Sequence, residues 1–158
     1  MENLKLQLHL FFTHPIFLAC TFSWLSAQFI KTLIKLFSGK IKSVGELFEL
    51  LLWRSGGMPS SHSALVVCLC TVIGFRLGIS SDLFMLSLAF CLVTIRDALG
   101  VRRASGMQAN LLNQVCEVLY EKDGVELKPV KVVQGHSPIE VLVGCILGLF
   151  IGIAFCVL

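Results

Sequence analysis

The apolar positions fall into four long runs, separated by short segments where polar residues gather. The runs extend from about Pro15 to Phe37, Ser61 to Leu77, Leu83 to Val101 and Pro138 to Leu158. A helix that crosses a bilayer needs about 20 mostly apolar residues. Lipid offers the backbone no hydrogen-bond partners, so each run must satisfy its own amides, and a helix does this within one segment. The pattern therefore predicts four transmembrane helices. The second run is short and is interrupted by Gly74 and Gly78. The fourth carries Gly144, Gly148 and Gly152 at steps of four. Such a row lets two helices approach closely, within one chain or between two copies in a homo-oligomer.

The connecting segments are short. Residues 38–58 join the first two runs, and the amphipathic stretch Val44 to Trp53 reads as an interfacial helix. Residues 102–137 join the last two. Within them, Leu111, Leu112, Val115, Val118 and Leu119 have helical spacing across Gln108 to Tyr120. Glu121-Lys122-Asp123-Gly124 then reads as a turn, because Asp-Gly suits a tight hairpin. The chain contains no internal repeat. It starts with one Lys and one Glu before the first run and no clear small-residue cleavage site, which does not read as a cleavable signal. The expected fold is all-α: a polytopic membrane helical bundle of about four transmembrane helices plus an interfacial helix, formed as one domain over residues 1–158.

Composition agrees with the pattern. Only 15% of the 158 residues are charged and 56% are hydrophobic, with a mean hydropathy of +0.85. A soluble domain carries roughly 25% charged residues. Six of the seven cysteines (Cys20, Cys68, Cys70, Cys91, Cys145 and Cys156) lie inside apolar runs, where a thiol acts as a small core side chain. The net charge of +3 is modest but one-sided. Alternating spans put ten basic residues, from Lys31 and Lys35 to Lys128 and Lys131, on one face, and Lys5 and Arg76 on the other. The positive-inside rule makes the basic face cytoplasmic, where anionic lipid headgroups are suitable partners. No basic stripe with interleaved aromatics points to nucleic acid.

The same threading brings three polar clusters to the basic face. Gly56-Gly57-Met58-Pro59-Ser60-Ser61-His62-Ser63 enters the second span, Arg96-Asp97 to Arg102-Arg103 leaves the third, and Gly135-His136-Ser137-Pro138-Ile139-Glu140 enters the fourth. Two helix N-termini present unpaired N–H groups that favour anions. Arginine forks match phosphate oxygens. Two histidines can serve as nucleophile and general acid near neutral pH. His136 and Glu140 are four residues apart, so one helical turn can bring carboxylate and ring together. Together these parts are expected to bind a phosphate ester and transfer its phosphoryl group, with no metal or other cofactor required. Each piece also has a plain structural reading. Ser137 to Glu140 is a capping box with Pro at the first helical position. Arg102 and Arg103 are topology signals, Arg96 can snorkel, and Gln28 and Lys31 suit interfacial anchoring as well as the site. The same basic face also suits a non-catalytic protein that binds anionic lipid or a protein partner.

At these clusters the sequence resembles the divergent branch of the type 2 phosphatidic acid phosphatases, the acid phosphatase/vanadium-dependent haloperoxidase-related membrane proteins. The resemblance rests on Ala27-Gln28-Phe29-Ile30-Lys31, Gly56 to Ala64, Asp97 to Arg103, Gly106-Met107-Gln108-Ala109, Leu112-Asn113 and Gly135 to Val141. It implies a lipid phosphate substrate and a phosphohistidine intermediate. His136 takes the nucleophile's place, Glu140 that of its orienting acid, and His62 that of the leaving-group acid. Lys31, Arg102, Arg103, Ser60 and Ser61 become phosphate-binding candidates, and Asp97, Gln28, Gln108 and Asn113 supporting ones. The parent superfamily's first motif, Lys followed after six residues by Arg-Pro, is not matched by Lys31 and Arg54. Pro129-Val130 stand where its third motif has Ser-Arg, so Arg102 and Arg103 are expected to supply that charge.

Overall fold

The computed structural model describes residues 2–38, 57–125, 127–132 and 135–158. All regular structure among them is helical: α1 (Glu2–Phe12), α2 (Pro15–Phe37), α3 (Ser61–Leu77), α4 (Asp82–Leu99), α5 (Val101–Asp123) and α6 (Pro138–Val157). Three stretches are long and apolar enough to cross a membrane: α2, α6, and the run from Asp82 to Lys122, whose apolar part is α4. α3 is equally apolar but has 17 residues, about 25 Å at 1.5 Å per residue. The four expected spans thus appear within two residues of their expected ends. The expected interfacial helix, Val44 to Trp53, lies outside the described residues.

Local chemistry sets these ends. Ser60, Ser81 and Ser137 cap the starts of α3, α4 and α6 with their hydroxyl oxygens. Such caps satisfy N–H groups that a helix start otherwise leaves unpaired. Gly78 ends α3 at φ +85°, and Gly124 ends α5 at φ +69°. The Gly124 N–H donates to the Tyr120 carbonyl at 3.0 Å. Asp123-Gly124 is therefore a left-handed helix cap, not the expected hairpin turn. At Gly100 (φ −103°, ψ −85°) the backbone departs from helical values and separates α4 from α5. The helix α1 was not anticipated. Its Leu4, Leu6, Leu8 and Leu10 alternate with a strand's period, but with no strand beside it among the described residues the backbone closes its own hydrogen bonds.

α3 and α6 form the central pair. α2 packs against both, α4 packs mainly against α3, and α2 and α4 do not meet. The glycine row of α6 explains the central contact. A Cβ on Gly144 or Gly148 would collide with the backbone carbonyl of Ser60 or Ala64, and one on Gly152 would stand 2.8 Å from Thr71 Cβ. Ser60, Ala64 and Cys68 form a matching row of small residues on α3. The row on α6 is thus buried within the chain, and is not available as the oligomer contact that the sequence also allowed. Cysteines fill the remaining seams: Cys68 with Ala19 and Val72, and Cys70 and Cys91 with Val66.

Candidate functional site

The parallel starts of α3 and α6 lie side by side, and the site is built there. Ser137 caps α6 and accepts from the Glu140 N–H at 3.3 Å. The Glu140 side chain reaches back, and its Oε2 accepts from the Ser137 N–H at 3.1 Å. This completes the capping box. The same Oε2 lies 3.1 Å from His136 Nδ1. A carboxylate only accepts, so Nδ1 carries the hydrogen and Nε2 is left with its lone pair. The His136 side chain is 3% exposed and that of Glu140 is 23% exposed. The capping box and the His136–Glu140 contact therefore both form, and they share one oxygen atom.

Glu140 also binds the two helix starts together. Its carbonyl accepts from the Ser60 N–H at 2.9 Å. The Ser60 hydroxyl is fully buried and accepts from the Ser63 hydroxyl at 3.0 Å and the Ser63 N–H at 3.5 Å. It serves as a cap, whereas the sequence had made it a phosphate-binding candidate. The N–H groups of Ser61 and His62 remain as unpaired N-terminal donors among the described residues. The His62 ring is exposed, and the ionisable groups that face it are Arg102, His136, Lys31 and Asp97.

Lys31 comes from α2 and is 1% exposed. Its Nζ donates to Gln28 Oε1 at 3.0 Å. That is its one hydrogen-bond partner among the described residues, so two of its three N–H donors remain. Glu140 lies within electrostatic reach. A Cβ at Gly57 would stand in ordinary contact, 3.6 Å from Lys31 Cγ, so the loop before α3 lies over the lysine stem, and it is the φ of +93° that calls for glycine there. Both Gln28 and Lys31 face the bundle interior, which removes the anchoring alternative.

Arg102 opens α5, and its Nε donates to Asp97 Oδ2 at 2.6 Å. Asp97 thereby aims the guanidinium, with both side chains about two-fifths exposed. Gly135 presses against the backbone of Arg102 and Arg103, where any Cβ would clash, so the segment entering α6 and the start of α5 are in contact. The Arg103 side chain is exposed.

The structure therefore brings together His136, Glu140, His62, Lys31, Gln28, Ser61, Asp97 and Arg102. Gln108 and Asn113 lie elsewhere. Gln108 is exposed on α5, and Asn113 makes two hydrogen bonds to Val130, its Nδ2 donating to the carbonyl at 3.0 Å and its Oδ1 accepting from the N–H at 2.7 Å. Lys35 was missed as a neighbour. Its Cε stands 3.5 Å from a Cβ built at Gly57, and it lies within electrostatic reach of Lys31. The spacing of four residues between the two lysines carried that signal. Among the described residues, no three His, Cys, Asp or Glu side chains gather to hold a metal ion.

Comparison with known proteins places this arrangement. The chain is 36% identical over 112 residues to an uncharacterized membrane protein, YuiD, of Bacillus subtilis (strain 168), covering 64% of this chain and 71% of the relative. No solved structure matches. A family model described as the Divergent PAP2 family matches residues 12–151, from the start of the first span to near the end of the last, and the chain belongs to that family.

Proposed function

We propose that this protein is a membrane phosphatase that hydrolyses a lipid phosphate or pyrophosphate through a phosphohistidine intermediate. One observation carries the reading: a buried histidine, held by a carboxylate with Nε2 bare, shares one end of the bundle with a second histidine, a buried ammonium and an aimed arginine. A purely structural helix start needs the capping box but not this set. Burying an ammonium whose donors are not all met among the described residues is costly unless an anion meets it, and a phosphate oxygen supplies that partner.

In the proposed reaction, Lys31, Arg102 and the N–H groups of Ser61 and His62 hold the phosphate oxygens. His136 Nε2 attacks phosphorus while Glu140 keeps Nδ1–H in place and stabilises the imidazolium. The P–O bond to the lipid breaks, and the leaving oxygen takes a proton from His62. Water then attacks phosphorus, giving its proton to His62; the N–P bond breaks, its electron pair returns to His136 Nε2, and free phosphate leaves. Phosphoryl transfer needs mainly positioning and charge stabilisation, and fixed cations and helix starts supply both.

A lipid substrate is supported by the surface beside the site. An apolar groove of about 350 Å³ runs between α3 and α4, lined by Leu69, Ile73, Leu83, Leu86, Ser87 and Phe90. Leu69 and Ile73 follow His62 by seven and eleven residues; Phe90 and Leu86 precede Asp97 by the same intervals. Two and three helical turns thus separate polar and apolar members of each stripe. A chain hanging from a headgroup held at His62 and Arg102 lies along this groove. The one-sided basic charge supports a site in the cytoplasmic leaflet.

The test is phosphate release by purified, detergent-solubilised protein against a panel of lipid phosphates and pyrophosphates, with His136→Gln and His62→Ala alongside. Release lost in both folded variants supports the reading. Release unchanged in His136→Gln refutes the phosphohistidine. No release on any substrate by folded protein points to a non-catalytic role in binding anionic lipid or a protein partner.

A further inference from the structure

In a soluble amphipathic helix the apolar side is covered by its own chain and the polar side faces water. α5 does the reverse. The side that its own chain covers carries Gly106, which is buried, and Ala109, Asn113 and Cys116, which are half-buried. Asn113 clamps residues 127–132 there through its two bonds to Val130. On the other side Met107, Leu111, Val115 and Val118 recur at helical spacing and are 59%, 63%, 47% and 47% exposed. Among the described helices, α5 touches α4 alone. A bare apolar stripe of this length on a monomer marks a surface that something covers.

Three features identify the cover as the bilayer. α4, a span, ends at Leu99 and α5 begins at Val101, so a joint of one residue holds the start of α5 at the membrane surface. The exposed apolar side chains of α4, Phe90, Leu92 and Val93, face lipid in a spanning helix, and the bare surface resumes past the joint at Val101. Charge is arranged to match. Exposed Arg96 and Arg103 flank the joint, and Lys122 ends the apolar stripe four residues after Val118, where its long stem reaches back to the phosphate layer. Glu117, one turn beyond Asn113, falls on the water side.

We propose that α5 lies within the headgroup layer of the leaflet that holds the site, with Met107, Leu111, Val115 and Val118 sunk among the upper acyl chains. The residues clamped by Asn113 then ride on its water side, above the bilayer, and lead into His136. This placement depends on the shape and composition of α5, and it holds whether or not the site turns over a substrate.

The test uses the full chain with Trp24→Phe and Trp53→Phe, reconstituted into nanodiscs of phosphatidylcholine and phosphatidylglycerol with brominated acyl chains. A single tryptophan is then introduced as Val115→Trp or as Glu117→Trp. Val115→Trp is expected to emit at shorter wavelength and to lose at least half its fluorescence to the brominated lipid, while Glu117→Trp keeps most of its signal. Leu111→Trp repeats the reading if Val115→Trp does not fold. Equal quenching at Val115 and Glu117, or no quenching at Val115 or Leu111, overturns the proposal. A blue-shifted, unquenched tryptophan with two chains per disc overturns it in favour of a second copy covering the stripe.

Discussion

Gly148→Ala tests the central contact of the bundle most directly. A Cβ built at Gly148 stands 2.9 and 3.0 Å from the carbonyl carbon and Cα of Ala64, and closer still to the carbonyl oxygen. Carbon atoms in ordinary contact lie about 3.5–4.0 Å apart, so α6 must back away from α3 by roughly 1 Å. The obstacle is backbone, and no side-chain rotation relieves it. Overpacking of this kind costs about 1–3 kcal/mol. Helices in lipid associate through close packing, with no hydrophobic force between them to compensate for the lost contact. At about 2–4 °C per kcal/mol for a chain of this size, the unfolding temperature should fall by about 2–12 °C. The assay is thermal unfolding of the detergent-solubilised protein, read as loss of the monodisperse peak on size exclusion after heating. Leu142→Ala, on the exposed side of α6, is the control and should shift little. An unchanged unfolding temperature for Gly148→Ala refutes the reasoning. A loss of dimer with no loss of stability refutes it as well, because the glycine row would then serve between copies.

Four further outcomes follow from the site and its loop. Glu140→Gln should cut phosphate release by about 10²–10⁴-fold, since the amide no longer fixes His136 as a carboxylate does; turnover kinetics of folded variant check this. Lys31→Met should raise KM for a lipid phosphate at least about tenfold, corresponding to the loss of roughly 1.5–3 kcal/mol from one charge-assisted hydrogen bond, while the helical content by circular dichroism stays unchanged. Asn113→Ala removes both bonds to Val130 and should make residues 127–132 the first site of limited proteolysis, with little change in unfolding temperature because the bonds are exposed. Half-buried Cys116 should react with a membrane-impermeant thiol reagent only when the cytoplasmic face is open; labelling in intact cells inverts the assigned orientation.

Five of the eight span ends were legible because they are marked twice, by the edge of an apolar run and by a serine cap (Ser60, Ser81, Ser137) or a terminal glycine (Gly78, Gly100). The convergence of the three clusters was legible because alternating spans leave it no other end of the bundle. The inward rotation of Gln28 and Lys31 was not, since a polar pair one turn apart suits an interface and an interior equally until the neighbouring helices are known. Gln108 and Asn113 were drawn toward the site by the motif around them, but α5 carries them away along its length, and Asn113 turns to its own loop. The role of Ser60 illustrates a further gap. A hydroxyl near phosphate-binding groups looks like a ligand in one dimension, and only the bond from Ser63 shows it already engaged.

Glu140 has a consequence for how the molecule comes into being. Its N–H closes the first turn of α6, its carbonyl joins that turn to Ser60, and its carboxylate pins the ring of His136. The ring is therefore set in place by the same event that winds the last span and docks it on the second. A chain with its final segment still outside the bundle has the full set of residues, but its imidazole stands apart from His62 and Lys31. On the proposed function, the site is complete only once the last span has docked.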